Sequence, residues 1–299
     1  MVVFQYRSLG ELRAGKAFGT STMENTRTAK ERLRDLYAET SKHGQYQTLP
    51  AKLADALDLQ FEVNEEWRGD RPRYPLIRDF VAANGCRTVL DVGANTGFFA
   101  LSLAGDVPGL KVTACELNKT HARIIELLAE VGGYELPVTD RPADAEHVDR
   151  FGHFDCALHL NILHHAGHDF DGALVPDRTA FQAYAVDYLK RFRTTAERMV
   201  FQMGYNWRGD KTLPLIERDD QAGKVRFTLD LFERSGWEVE GVAFARKGAG
   251  IFPIEYDRYK MDELPPQGAA LQTWLTARYG EAVWSEFYQR PMWFCRASR

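Results

Sequence analysis

Cysteine is scarce and scattered in this 299-residue chain. No Cys-x-x-Cys pair occurs among its four cysteines, which are Cys86, Cys115, Cys156 and Cys295. This distribution argues against a disulfide framework and against a structural zinc site built on cysteine. Three of the four fall in predicted strands, so we expect buried, reduced thiols in a cytoplasmic protein.

Long hydrophobic runs and an excess of positive charge are also lacking. Residues 1–20 have no apolar core of a signal peptide, and no apolar run approaches the roughly 18 residues that span a bilayer. We therefore expect no membrane association. The formal net charge is −4, which argues against a general affinity for nucleic-acid phosphates; net charge carries no information on a local basic groove.

The most informative segment is a glycine-spaced turn between an apolar strand pattern and a helical pattern. It reads Asp-Val-Gly-Ala-Asn-Thr-Gly over 91–97. Glycines let the backbone approach a ligand, and the N-terminus of the following helix presents unpaired N–H groups. This order of elements predicts a nucleotide-type ligand. The candidate binding residues are Asp91, Gly93, Asn95 and Gly97.

A second strand pattern ends on an acidic residue, Glu116, 25 residues after Asp91. A carboxylate at this place in a doubly wound fold can accept hydrogen bonds from ribose hydroxyls. Dinucleotide binding is the natural rival. It is weakened because Asn95 and Thr96 replace a third small residue, and because Asp91 would repel a pyrophosphate but attract an ammonium group.

Together these segments resemble motif I and the second strand of the class I S-adenosylmethionine (SAM)-dependent methyltransferases. The stretch 154–165 resembles their motif IV, with Phe-Asp, an apolar strand and then Leu-His-His. The resemblance covers about 88–165 and implies SAM as cofactor. It further implies cofactor contacts at the ends of strands two, three and four. These are Glu116 with Leu117, Asp140 (or Asp144) on the adenine amine, and His159 with Leu160.

Four histidines cluster after the fourth strand pattern: His159, His164, His165 and His168. A neutral imidazole can take a proton from a substrate hydroxyl, so His164 and His165 are candidate general bases. They could instead cap the turn after the strand. A metal site with Asp169 and Asp171 is a further alternative. Only His164 and His168 have the i, i+4 spacing of a helical ligand pair, so we expect no metal.

Strands alternate with amphipathic helices from about residue 72 onward. This alternation predicts an α/β fold with a Rossmann-like, doubly wound, mostly parallel sheet. We expect an N-terminal helical extension or lid over 1–71 and a SAM-binding domain over 72–299. By the same resemblance, the last two strands form an antiparallel pair. A helical insertion over 247–290 would separate them and lie beside the substrate mouth.

The stretch 66–70, Glu-Trp-Arg-Gly-Asp, resembles the Glu-Trp-Arg-x-Asp segment of the tRNA wobble-uridine carboxymethyltransferases. That resemblance implies a carboxylated SAM, held by basic and aromatic residues. Motif I departs from that family, with Ala-Asn-Thr in place of Cys-Gly-Ser. Arginines here could otherwise clamp an anionic substrate, or the stretch could be a solvated linker. The candidate acceptor-binding residues are Trp67, Arg73, Tyr205, Asn206 and Trp207; the last three follow strand five and could instead form a structural loop.

The sequence thus predicts a SAM-dependent methyltransferase. The reaction would be in-line SN2 transfer, with O-methylation of a small polar metabolite or sugar as the first hypothesis. A tRNA-modifying alkyltransferase that uses SAM or carboxylated SAM is the second, and nucleic acid is the less expected partner. A SAM-binding protein without catalysis is the third.

Overall fold

The computed structural model describes residues 20–39, 47–61, 63–64, 66, 68–217, 220–249, 253–279 and 285–298, with the backbone alone for 20–28. No helix in these ranges is long and apolar enough to cross a membrane.

One eight-stranded sheet runs through the described residues. Its strands are β1 (Thr88–Val92), β2 (Lys111–Cys115), β3 (Val138–Thr139), β4 (Phe154–Leu160), β5 (Ala196–Gln202), β6 (Trp237–Lys247), β7 (Ile254–Tyr259) and β8 (Met292–Ala297). Their spatial order is β3-β2-β1-β4-β5-β8-β6-β7. The first five are parallel, and β8, β6 and β7 pair antiparallel. The predicted Rossmann-like, mostly parallel sheet is confirmed.

Helices cover both faces of this sheet. They are α1 (Thr20–Glu39), α2 (Ala51–Leu57), α3 (Tyr74–Ala83), α4 (Phe98–Asp106), α5 (Lys119–Gly132), α6 (Phe181–Phe192), α7 (Gln221–Ser235) and α8 (Ala269–Tyr279). Local sequence explains both ends of α5. Asn118 caps α5 by accepting from the N–H groups of Thr120 and His121, and Gly133 ends that helix in the left-handed conformation.

The N-terminal helices share a hydrophobic core with the sheet. Leu33 of α1 and Leu53 of α2 are buried in the same cluster as Phe98 and Ile124. A polar contact also joins this region to the glycine turn, because the Gln47 side-chain oxygen accepts from the Thr96 hydroxyl at 3.1 Å. The described part of the extension therefore packs directly against the binding edge of the sheet.

The segment between β6 and β8 contains a strand that the sequence did not lead us to expect. β7 pairs antiparallel with β6 and extends the sheet by one edge strand. Its sequence, Ile-Glu-Tyr-Asp-Arg-Tyr, is mostly polar, as suits an edge strand, and so gave little apolar signal. The following helix, α8, buries Leu271 and Leu275 and packs against α7 and β6.

The chain reverses its direction of winding between β1 and β4. From β1 it runs outward through β2 to β3, and it then returns to place β4 on the other side of β1. In doubly wound folds, ligands bind at such a switch point, outside the carboxyl ends of the strands. The glycine turn and the segment after β4 both lie there.

Candidate functional site at the carboxyl edge of the sheet

The glycine turn after β1 needs glycine at two positions. Gly93 and Gly97 have φ values of 66° and 88°, in the left-handed region that side chains disfavour. A Cβ at Gly93 would lie 2.5 Å from Cδ1 of Ile162, and one at Gly97 would lie 2.8 Å from Cγ1 of Ile125. The turn therefore packs closely against both the segment after β4 and helix α5.

Glu116, at the end of β2, is held by backbone N–H groups. Its carboxylate accepts hydrogen bonds from Asn95 at 2.7 Å and Asn118 at 2.8 Å. Burial raises the pKa of Glu116, and these hydrogen bonds act in the opposite direction. Leu117 beside it is 53 % exposed. A fixed carboxylate next to an exposed apolar side chain is chemically suited to a ribose hydroxyl pair and a neighbouring base.

Two aspartates compete for the predicted adenine contact. Asp140 is exposed and directly follows β3, whose Thr139 carbonyl accepts from the Glu116 N–H at 3.0 Å. Asp144 instead caps a local turn, since its side chain accepts from the N–H groups of Glu146 and His147. Asp140 is therefore the aspartate placed beside Glu116 with its side chain open to solvent.

Asp91 is a buried acid with an unsatisfied oxygen. The residue is 3 % exposed, and its Oδ2 has no hydrogen-bond partner among the described residues. Burial raises the pKa of Asp91 to about 8, and the backbone N–H of Ala100 opposes this shift. An unpaired buried oxygen is costly, so a ligand that donates hydrogen bonds there would be stabilised.

A narrow cavity of about 50 Å³ opens beside Asp91. Its lining includes five residues that the sequence predicted for binding, Asp91, Gly93, Asn95, Leu160 and Arg73. Arg68, one of the arginines that could clamp an anionic substrate, also lines the cavity. The sequence prediction did not include five further lining residues, which are Gln47, Asp70, Ala94, Phe99 and Asn161.

Arg73 is almost fully buried at the start of α3. It is 2 % exposed, forms an ion pair with Asp70 and donates to the Gln202 side-chain oxygen at 2.8 Å. Its guanidinium lies over the rings of Phe99 and Phe287, 5.0 and 4.8 Å from their centroids. These contacts fix the orientation of the guanidinium in the cavity wall.

A polar network joins the ends of β4 and β5 to the segment before β8. The Gln202 side-chain oxygen also accepts from the Asn161 amide at 3.0 Å, and Gln202 donates to the Arg290 carbonyl at 2.8 Å. Arg290 in turn donates to Asn161 at 2.9 Å and forms an ion pair with Glu286 at 3.0 Å. The last residues of the predicted insertion thus reach the site.

Three residues of this network, Gln202, Asn161 and Arg290, were not predicted from the sequence. Gln202 and Asn161 are polar residues at the ends of apolar strands, which is the position that supplies ligands in this kind of sheet. That signal was available in the sequence. Arg290 carried no local signal, because only folding brings it beside Asn161.

The candidate bases His164 and His165 have different surroundings. His164 is 2 % exposed, and its Nδ1 accepts from the Gly204 N–H at 3.2 Å. Burial, with the nearby Arg290, lowers the pKa of His164 well below its usual range. The side chain of His165 is 30 % exposed, and its Nδ1 lies 3.3 Å from Oδ2 of Asp169.

His159 is fully buried on the α6 side of β4. Its ring contacts Tyr188, Phe192 and Phe201, and its Nε2 lies 3.2 Å from the Tyr188 hydroxyl. Burial lowers its pKa to about 4. The structure therefore places this side chain in the core and away from the described lining of the cavity, so a cofactor contact there would be left to its backbone.

The predicted acceptor loop after β5 is largely packed inward. The Tyr205 hydroxyl hydrogen-bonds to Thr228 at 2.7 Å, and the Trp207 indole donates to the Ala166 carbonyl at 2.8 Å. Asn206 is half-buried and bridges to Pro214. The structure does not bring these side chains to the cavity. Trp67 lies outside the described residues.

Metal-binding side chains are not grouped in the part of the chain that the structure describes. No set of three or more His, Cys, Asp or Glu residues there is placed to hold an ion. The absence of a metal in the reaction stays a prediction.

Comparison with known proteins finds likeness in fold and one short sequence match. No family profile matches the chain. A stretch of 113 residues is 26% identical to the tRNA U34 carboxymethyltransferase of Shewanella frigidimarina, covering 38% of this chain and 34% of that protein.

Two of the solved structures that match the chain are methyltransferases or parts of proteins found with SAH. The bifunctional kinase-methyltransferase WbdD matches with a TM-score of 0.50 at 15% identity, over 89% of this chain and 46% of that one. The N-terminal domain of EvdMO1 with SAH bound matches with a TM-score of 0.43 at 16% identity, over 91% and 97%. The chain spans less than half the length of WbdD and about a third of the tRNA enzyme. It has the Rossmann-like fold of the SAM-dependent methyltransferases.

Proposed function

We propose that the protein is a SAM-dependent methyltransferase. The observation that carries this proposal is the pairing of Glu116 with Asp91 across one glycine turn at the switch point of the sheet. Glu116 is oriented by two backbone N–H groups. Asp91 lies just before the turn, and its Oδ2 has no hydrogen-bond partner among the described residues. A ribose can donate its hydroxyl hydrogens to Glu116, and an ammonium group beside Asp91 would favour the charged form of that acid.

SAM would supply an electrophilic methyl group bonded to a sulfonium, and the neutral thioether would be the leaving group. The residues of the chain would bind and orient it, with Glu116, Leu117 and Asp140 on the nucleoside and Asp91, Gly93 and Asn95 at the amino-acid end. Catalysis would then come mostly from holding the acceptor in line with the methyl group.

For the general base we propose His165 over His164. The Nδ1 of His164 already accepts a backbone hydrogen bond, so the ring proton lies on Nε2. Neither ring nitrogen of His164 is then available to accept a proton from a substrate. The pairing of His165 Nδ1 with Asp169 would place the ring proton on Nδ1 and make Nε2 the basic nitrogen of this ring. The side chain of His165 is 30 % exposed, whereas His164 is buried. His165 is therefore the more accessible of the two to an acceptor hydroxyl, as O-methylation of a small polar metabolite or sugar requires.

A carboxylated SAM, with a tRNA acceptor, is the second candidate. Arg68 lines the cavity, and its guanidinium, like that of Arg290, lies over Phe287, at 4.8 and 5.7 Å. Such cations suit an additional carboxylate, and the partial match to a tRNA U34 carboxymethyltransferase favours the same idea. Against it, Arg73 and Arg290 are each paired with an acid of the protein, Asp70 and Glu286.

Titration calorimetry of the purified protein with SAM, carboxylated SAM and NAD tests these candidates. We expect micromolar binding of SAM and none of NAD. Tighter binding of the carboxylated form would favour the second candidate, and binding of NAD alone would refute the assignment of the cofactor. SAM binding without turnover of any acceptor, in a screen of sugars, phenols, small acids and tRNA, would favour a non-catalytic SAM-binding protein.

A further inference from the structure

We propose that Arg208 is a positioning residue for His165, the general base of the proposed reaction. This inference rests on the proposed function and deepens it, because it names what holds the imidazole in place. Arg208 would act through the turn that carries His165 and would not touch SAM or the acceptor. Trp207 beside it, which the sequence suggested as an acceptor contact, belongs to the same support.

Two successive side chains of the loop after β5 hold the two carbonyl groups that follow His165. The Trp207 indole donates to the Ala166 carbonyl at 2.8 Å, and an Nη group of Arg208 donates to the Gly167 carbonyl at 2.8 Å. The Arg208 guanidinium also lies over the Trp207 ring, 3.9 Å from its centroid. The backbone that follows the proposed base is therefore fixed at two adjacent points.

Arg208 adopts a backbone conformation that arginine disfavours. Its φ and ψ are 59° and 14°, in the left-handed region, where a Cβ is crowded and glycine is the usual residue. In an extended segment the side chains of Trp207 and Arg208 would point to opposite faces, whereas the turn at Arg208 lets both reach the same segment. A strained residue of this kind persists only where its surroundings hold it, and such residues cluster at functional sites.

The segment held in this way carries His165 and Asp169 in one tight turn. The His165 carbonyl accepts from the N–H groups of His168 and Asp169 at 3.0 and 3.1 Å, and the Asp169 carboxylate lies 3.3 Å from His165 Nδ1. Gly209 of the loop after β5 also lies beside the ring, since a Cβ there would be 3.9 Å from Cε1 of His165. Displacement of the backbone at 166–167 would therefore change both the pairing with Asp169 and the place of the ring.

Arg208→Gly separates positioning from stability, because glycine removes the guanidinium and also the strain of the left-handed backbone. Its thermal midpoint should stay within about 4 °C of the wild type, the shift expected from one lost contact. Turnover, with an acceptor identified by the screen, should fall by about 10- to 100-fold at unchanged SAM affinity, since a misplacement of about 1 Å can cost on the order of 100-fold. Arg208→Lys keeps a donor for the Gly167 carbonyl and should retain more of the turnover.

The matched control is Arg178→Ala. Arg178 also donates to a backbone carbonyl, that of Pro214, at 2.8 Å. This bond supports the same loop after β5 at a point away from the turn of His165. The control variant should therefore keep the turnover of the wild type.

Nitrogen-15 NMR of the His165 imidazole needs no acceptor and is the direct test. The spectra would be recorded at about pH 8.5, where free imidazole is neutral, and His165→Ala would assign the signals. The wild type should carry the ring proton on Nδ1, and Arg208→Gly should show a mixture of the two tautomers, because the pairing with Asp169 is loosened. Arg178→Ala should give the wild-type spectrum.

The outcomes separate this inference from the proposed function. An Arg208→Gly protein with the wild-type tautomer, or with the turnover of the wild type, would overturn the positioning role. A wild type with the ring proton on Nε2 would remove His165 as the base, and with it the role of Arg208. Failure of the wild type to bind SAM would refute the methyltransferase itself, which is a different result from an unchanged tautomer in Arg208→Gly.

Discussion

The backbone N–H of Asn95 donates a hydrogen bond to Oε2 of Glu116 at 2.7 Å. This bond joins the glycine turn after β1 to the end of β2, two segments 21 residues apart in the chain. Asn95 itself has a φ of 57°, a left-handed conformation that asparagine tolerates better than most residues. The carboxylate thus stabilises the turn and is itself held in one orientation, so the binding edge is organised before any ligand is present.

Replacement of Glu116 by alanine should weaken SAM binding by about 10- to 100-fold, because a charge-assisted contact and the support of the turn are both lost. Calorimetry would measure the change. Glu130→Ala, which removes an exposed acid from the following helix, α5, is the control and should bind SAM as the wild type does. Unchanged affinity in a folded Glu116→Ala protein would exclude the ribose contact.

SAM affinity should rise between pH 6 and pH 7.5. The pKa of Asp91 is about 8 because of burial, so the acid is mostly protonated in this range and must release its proton to pair with an ammonium group. Asp70, Glu116 and Arg73 also act on this carboxyl. Calorimetry in two buffers of different ionisation enthalpy would detect the released proton. Asp91→Asn should show no such release; a wild type without it would contradict the pairing.

Asp91→Asn should also stabilise the unliganded protein at high pH. The folded Asp91 titrates near pH 8 and the unfolded one near pH 4. Between these values the folded state binds the extra proton, so its stability falls as the pH rises. Removing the ionisable group should therefore raise stability by roughly 2 kcal/mol or more at pH 8 and by almost nothing at pH 4. Denaturant unfolding at both values measures this, and an equal effect at the two would contradict it.

His165→Ala should slow turnover by about 10²- to 10⁴-fold, the usual contribution of a general base, with SAM affinity unchanged. Asp169→Asn should give a smaller loss, because it removes the carboxylate that orients the ring. His164→Ala should act differently and lower the thermal midpoint, since it removes a buried ring and leaves the Gly204 N–H unpaired. Production of S-adenosylhomocysteine with an identified acceptor measures turnover. Full activity of His165→Ala would eliminate this base.

Gly97→Ala should be more destabilising than Gly109→Ala by about 1–3 kcal/mol, the range seen for overpacking. Both glycines have a positive φ, 88° and 77°, so the strain in the backbone is similar. A Cβ at Gly97 would lie 2.8 Å from Ile125, whereas one at Gly109 has open space around it. Denaturant unfolding of the two variants isolates the packing effect. Equal losses of stability in the two variants would mean that α5 shifts to accommodate the added Cβ at no cost.

Motif I and the residues near it could be placed from the sequence because their constraints are local. A glycine that needs a positive φ, an acid at a strand end and the alternation of strands and helices each leave a signal within a few residues. The added strand β7 left almost none, because an edge strand is half exposed and its polar residues read like those of a loop.

The side-chain roles depended on contacts that no local pattern encodes. Tyr205 and Trp207 have the composition of a substrate wall, but helix α7 and the segment after β4 cover them in the fold. His164 and His165 are adjacent in sequence and differ in burial, because one ring points toward Gly204 and the other toward Asp169.

The sequence by itself determined the α/β class, the glycine turn and the acid at the end of β2, since backbone geometry and spacing impose these within one βαβ unit. The tertiary structure alone decided that Gln202 contacts both Arg73 and Arg290, and that Arg73 lines one cavity with Asp91. Arg73, Gln202 and Arg290 come from the start of α3, from β5 and from the segment before β8, so only the folded chain buries their polar groups together. A buried polar atom without a partner is costly, and this cost favours a ligand that supplies the missing hydrogen bond.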